Sequence, residues 1–167
     1  LQHNEVDFIY TLDRRIFQPE FVKLLEAEEP ICFVCSPRHP LAGQARVSME
    51  EVLQQELILT ERGMSYRDAL TERLSMRGME LHPFLEVGNT NLICQLLRSD
   101  IGISFLPEYL VQEYLLDGTL VRLPVSDPSI CMWRQMFCHR DKWITPQMQA
   151  MIDLVRGPAS HAPAEAR

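Results

Sequence analysis

The 167 residues carry 16 Lys and Arg against 23 Asp and Glu, a net charge of −7, with 46% apolar and 8% aromatic residues. That make-up suits one ordinary globular domain or two small lobes with a real core. The acid excess, with no basic stripe, argues against direct nucleic-acid contact by this chain, and no window nears eighteen uninterrupted apolar residues, so a membrane span is not expected.

The opening residues lack a basic n-region and an apolar h-region, so no export signal is expected. Five cysteines, an odd number, fit reduced thiols in a cytoplasmic setting.

Val6 to Tyr10 is a short β-favouring run. Residues 11 to 29 hold no sustained period and read as a loop with a short helical or extended piece. Pro30 to Ser36 is a strand, stopped by Pro37 and Pro40. Ser48 with Glu51 forms a capping box that opens a helix through Val52 and Leu53. Leu57 to Thr60 is the next strand, and Ser65 with Asp68 repeats the capping pattern for a helix that buries Tyr66, Leu70 and Leu74 and ends at Gly78.

His82 to Val87 is a strand that runs into Asn89-Thr90-Asn91. Leu92, Ile93, Leu96 and Leu97 then fall on one side of a helix. Ile101 to Leu106 is a buried strand, Pro107 the first position of a helix closed by Asp117-Gly118. Thr119 to Val125 and Ile130 to Cys138 are the last strands. Thr145-Pro146 starts a final helix with Met148, Met151, Ile152 and Val155 inward, and residues from Gly157 onward read as a disordered tail.

The β-α alternation predicts parallel or mixed sheets with helices on both sides. In such sheets ligands gather at the carboxyl ends of strands, where helix N-termini present free N–H groups. The Asn-Thr-Asn start is a candidate ligand contact on that ground, although Asn89 or Thr90 acting only as a cap accounts for the same residues. Cys32 and Cys35 have C-x-x-C spacing, but a strand aims them at opposite faces, which favours core cysteines over a metal or redox pair. No metal site and no cofactor are expected. The five histidines show no H-E-x-x-H spacing, and neither G-x-S-x-G nor a P-loop occurs, so an enzyme is not expected.

His39-Pro40-Leu41-Ala42 resembles the HPLA signature of the effector-binding domain of LysR-type transcriptional regulators. Ser99 to Pro107 is similar to that family's small-Gly-x-Gly-Ile-x-x-Leu-Pro element, Asp117 to Pro124 to its G-x-L-V-x-L-P strand, and Asn4 to Phe8 to its G-x-L-D-F-A-I strand. The four agree in order over residues 4 to 156. Asp100 stands where the family has Gly, at a position expected to need φ > 0, which Asp tolerates better than most residues.

The resemblance implies an α/β chain of two lobes like type II periplasmic binding proteins, with mixed sheets flanked by helices and lobe one incomplete. Lobe one is expected at residues 1–56 plus 143–156, lobe two at 57–137, and a hinge return at 138–142. It further implies a small effector in the cleft. Two helix starts are expected to line it, with contacts from Thr60, Arg62, Gly63, Ser65, Tyr66, Arg67, Asn89, Thr90 and Asn91 and with Phe105 and Pro107 at the rim; the Arg62 and Arg67 guanidiniums beside free N–H groups fit an organic acid or other anion, although Arg67 pairing with Glu61 or Glu72 on the surface accounts for that residue as well. A homodimer or homotetramer is implied, with DNA bound through a winged helix-turn-helix outside this chain and no membrane partner. The family's peroxide-sensing branch uses a cysteine where Ser65 stands, so redox sensing is not expected. A solute-binding protein feeding a transporter shares the lobed architecture and is the alternative reading.

Overall fold

The computed structural model describes residues 6–126 and 130–156. Asn4, Glu5 and the tail expected from Gly157 onward lie outside them. The strands are β1 Ile9–Asp13, β2 Phe21–Cys35, β3 Ile58–Leu59, β4 Leu85–Glu86, β5 Ile103–Pro107, β6 Val121–Arg122 and β7 Cys131–His139. The helices are α1 Met49–Leu53, α2 Ser65–Met76, α3 Thr90–Arg98, α4 Glu108–Leu116 and α5 Pro146–Arg156.

Residues 11 to 29 depart most from expectation, because Phe21 onward belongs to β2, a strand of 15 residues. A register shift between Lys23 and Leu25 puts two residues of one strand against one of its partner. That reverses the in–out phase partway along and erases the period-two signal. β1 starts three residues later than its apolar run, and the runs at 82–87 and 119–125 keep only two ladder residues each.

The first half of β2 pairs antiparallel with β7, from Phe21↔His139 to Pro30↔Cys131, and β7 pairs antiparallel with β1. The second half pairs antiparallel with β5 and β6. β3 and β4 run parallel, and a parallel bridge, Leu57↔Ile103, ties them to β5. The result is a mixed α/β arrangement in which one strand serves two sheets.

Alternation along β2 and β5 divides the second sheet's contacts between two cores. Ile31, Phe33, Cys35, Ile103 and Phe105 pack against α1, α2 and the Leu41–Val47 turn, while Cys32, Val34 and Leu106 pack against α3 and α4. Cys32 and Cys35 therefore do sit in different cores, both buried and both reduced. Leu57, Ile58, Leu70, Leu74, Ile93 and Leu97 are fully buried, each contributing about 1.5–3 kcal/mol relative to exposure. Residues 31–53 share the first of these cores with residues 57–74, so no gap in packing marks residue 56.

Local chemistry explains the motif turns. His39 is buried, its backbone N–H donates to Ser36 O at 3.0 Å, and its Nδ1 accepts the Leu41 N–H at 3.2 Å. Asp100 adopts φ 64° and Gly102 φ 70°. A Cβ at Gly102 would collide with the Glu56 carbonyl oxygen, so the glycine permits the bridge at Leu57 as well as the turn. Pro107 ends β5 and is the N-cap of α4, so the helix starts at Glu108, one residue later than expected. Among the described residues no helix is long and apolar enough to cross a membrane.

Candidate functional site

The two parallel strands bring two helix starts side by side. Leu59 pairs with Glu86, Val87 N–H donates to Leu59 O at 2.9 Å, and a Cβ on Gly88 would lie 2.9 Å from Glu61 Oε1. The loops ahead of α2 and α3 are thus neighbours.

The expected residues separate once their partners are considered. Arg67 is buried, with Nη1 donating to the Thr60 carbonyl and Nη2 2.6 Å from Glu86 Oε1. Arg62 is 85% exposed at the side chain and 3.9 Å from the same carboxylate. Gly63 has φ 93°, and its N–H donates to Asp68 Oδ1 at 3.3 Å. Asp68 is therefore not the partner of a Ser65 capping box: Met64 is the N-cap of α2 and makes no side-chain cap bond. Ser65 Oγ instead donates to the Leu12 carbonyl of β1 at 2.6 Å.

Asn89 caps α3, its side chain accepting from Asn91 N–H at 3.0 Å and Leu92 N–H at 3.3 Å. Capping alone accounts for Asn89, while Asn91 is exposed and Thr90 half-buried. Tyr66, Phe105 and Pro107 are buried. The Tyr66 and Phe105 rings are 6.4 Å apart, and Phe105 stacks on Phe33 at 4.7 Å.

Thr60 Oγ1 is buried and has no hydrogen-bond partner. Tyr66 feels the Thr60 side chain, and its phenol is pushed up chiefly by burial, yet the two make no bond of ordinary geometry. A buried hydroxyl without a partner costs on the order of 1–3 kcal/mol, which natural cores seldom leave unrecovered.

Facing these residues is a surface that sequence spacing did not reveal. Leu12 pairs with Arg134, Arg134 with Ala27, Glu29 with Met132 and Tyr10 with Met136. Directly paired residues project to the same side, so Tyr10, Leu12, Glu29 and Arg134 share one face of the first sheet. Leu12 packs into the α2-side core, which identifies that face as the one turned toward α2.

Glu29 is buried, and its carboxylate has two neighbours. Oε1 accepts the Tyr109 N–H at the start of α4 at 2.9 Å, and Oε2 lies 2.9 Å from Arg134 Nε. The latter is a close ion pair that is too bent to count as a hydrogen bond, since Arg134 Nε has no aligned acceptor. The Arg134 guanidinium also sits 5.7 Å from the Tyr109 ring centroid. Burial, then Tyr10, Glu29 and Tyr66, push the Tyr109 phenol up, with Arg134 opposing. Three tyrosines from three elements therefore gather with one carboxylate and one guanidinium around the start of α4. Arg134 is 35% exposed at the side chain, so it combines access with a cation.

Among the described residues no group of three His, Cys, Asp or Glu is placed to hold a metal. Such a set of hydroxyls, one guanidinium and aromatic walls is suited to holding a small polar molecule by hydrogen bonds. It contains no nucleophile paired with a base.

The family model described as the LysR substrate binding domain matches residues 1–159. The HTH-type transcriptional regulator YwqM of Bacillus subtilis (strain 168) is 30% identical over 158 residues, 93% of this chain and 53% of that protein. This chain thus spans about half the length of that relative. The regulatory domain of Synechocystis PCC6803 CcmR, solved with 2-PG, superposes with TM-score 0.75 at 21% identity, covering 98% of this chain and 78% of that one. The effector-binding domain of QuiR, solved with shikimate, gives TM-score 0.69 at 16% identity, covering 90% of this chain and 70% of that one. Fold, motif order and family match agree: the chain belongs to the LysR substrate-binding domain family.

Proposed function

We propose that this chain is the ligand-sensing part of a LysR-type transcription factor. A small anionic effector binds where the Tyr10–Leu12–Glu29–Arg134 face meets Thr60, Tyr66, Phe105 and the start of α4. The observation that carries the reading is the orphaned Thr60 Oγ1 across from the part-exposed Arg134, a hydroxyl and a guanidinium each able to take one end of an acid. Both Arg67 and Arg134 have a carboxylate partner, but Arg67 is buried whereas 35% of the Arg134 side chain is exposed, so Arg134 supplies the cation. The 2-PG and shikimate found with neighbours of this fold support an effector of that size.

The lobes would divide within β2 near Pro30, in place of residue 56, with residues 6–30 and 131–156 in one and 31–126 in the other. The return crossing then falls between β6 and β7, ahead of the 138–142 segment. Effector binding shifts their arrangement only by its differential affinity for the two states, and a separate DNA-binding domain reads the shift. The working protein is a cytoplasmic homodimer or homotetramer and not an enzyme. Regulator relatives favour this reading over transport.

Titration calorimetry with a panel of small organic acids, shikimate included, tests the site. Thr60→Val and Arg134→Gln should each weaken the best ligand at least about tenfold, roughly 1.4 kcal/mol, with Arg62→Ala unchanged. Binding untouched by both substitutions would remove the site.

A further inference from the structure

The chain also holds a cavity of about 220 Å³ that shares Phe105 with the effector site proposed above and none of the other residues named for that site. Its walls include Phe33 and Phe105 from the second sheet, Met49 from α1, Leu70 from α2, Leu123, and Ile130 where the chain turns into β7. Two arginines line it, Arg73 from α2 and Arg122 from β6, and none of its lining residues is Asp or Glu. Each guanidinium has partners of its own, Arg122 in an ion pair with Glu108, but the cavity wall carries positive charge alone.

Size and lining together define an occupant. An apolar cavity of roughly 150 Å³ takes benzene. The extra volume here accommodates one further small group, and the two guanidiniums select an anionic one. We propose that this cavity is a second small-molecule site, taking a compact monocarboxylate with a single apolar ring, its ring among Met49, Leu70 and Leu123 and its carboxylate toward Arg73 and Arg122. Ile31 and Ile130 form the wall where β2 enters the second sheet and β7 begins, so occupancy acts at the crossing between the two sheets.

The test uses the whole chain with labelled Met and Ile methyl groups, titrated separately with cyclohexanecarboxylate, cyclohexanol and acetate. Saturable shifts at Met49 and Ile130 are expected with cyclohexanecarboxylate, at least about tenfold weaker with the other two probes. The double substitution Arg73→Gln with Arg122→Gln should weaken binding by a similar factor, and Leu70→Trp, which fills the cavity, should abolish it. The absence of saturable shifts, or shifts that survive the double substitution, would overturn the proposal. Loss of the shifts in Arg134→Gln alone would place the acid at the Arg134 surface and overturn it too.

Discussion

Arg62 and Arg67 approach the same carboxylate, that of Glu86, from opposite extremes of exposure. Removing one partner of a buried pair costs about 3–5 kcal/mol, but Glu86 is 38% exposed and can rehydrate. Arg67→Ala should therefore destabilise by only about 2 kcal/mol, and Arg62→Ala by less than about 0.5 kcal/mol, as urea midpoints would report. His39 makes a prediction in pH. Burial holds its imidazole below the ordinary 6.5, with Asp100 partly opposing, so the folded state binds fewer protons than the unfolded one. Its contribution is present above 6.5 and is lost as pH falls through that value toward the lowered one. The urea midpoint should drop between about pH 7.5 and about pH 5.5, and less so in His39→Asn. The side chains of one helix start were legible because Thr60, Tyr66 and Arg67 lie within eight residues of each other. Glu29, Tyr109 and Arg134 were not, because a strand register and a bulge bring them together, and neither leaves a mark in local spacing.

Helices follow the sequence closely, since their caps are local. Ser48 Oγ accepts the Glu51 N–H at 3.2 Å, and the Glu51 carboxylate accepts the Ser48 N–H at 2.8 Å. The same box expected at Ser65 fails because Met64 takes the N-cap position, which puts Ser65 inside α2, and the Asp68 carboxylate accepts the Gly63 N–H instead. Asn89 keeps its capping role, so Asn89→Ala should cost about 1 kcal/mol in chemical denaturation while leaving effector affinity unchanged. Strands follow less well. β3, β4 and β6 are two-residue ladders inside longer apolar runs, and β2 looks like a loop over half its length because its phase flips at the bulge.

At the scale of the molecule, four motifs in order were enough to read the fold, and one core gathers residues from both sides of position 56. Trp143 and Leu154 are more than four-fifths exposed, and Met151 is 51% exposed on α5. Large apolar groups left open near one another mark association surfaces. Size exclusion with light scattering should find a dimer or larger species, and Met151→Glu with Leu154→Glu should shift it toward monomer; a stable monomer of the unaltered chain would contradict the assignment. Pro30 adds a mechanical consequence. It stands within β2 opposite Cys131, at the step where that strand passes from one sheet to the other, and it has no N–H to give. The neighbouring Ile31 N–H still donates to Ile130 O at 3.1 Å, and N–H groups alternate sides along a strand, so the missing donor belongs to the edge turned away from β7, at the one spot where a bend swings both halves as levers.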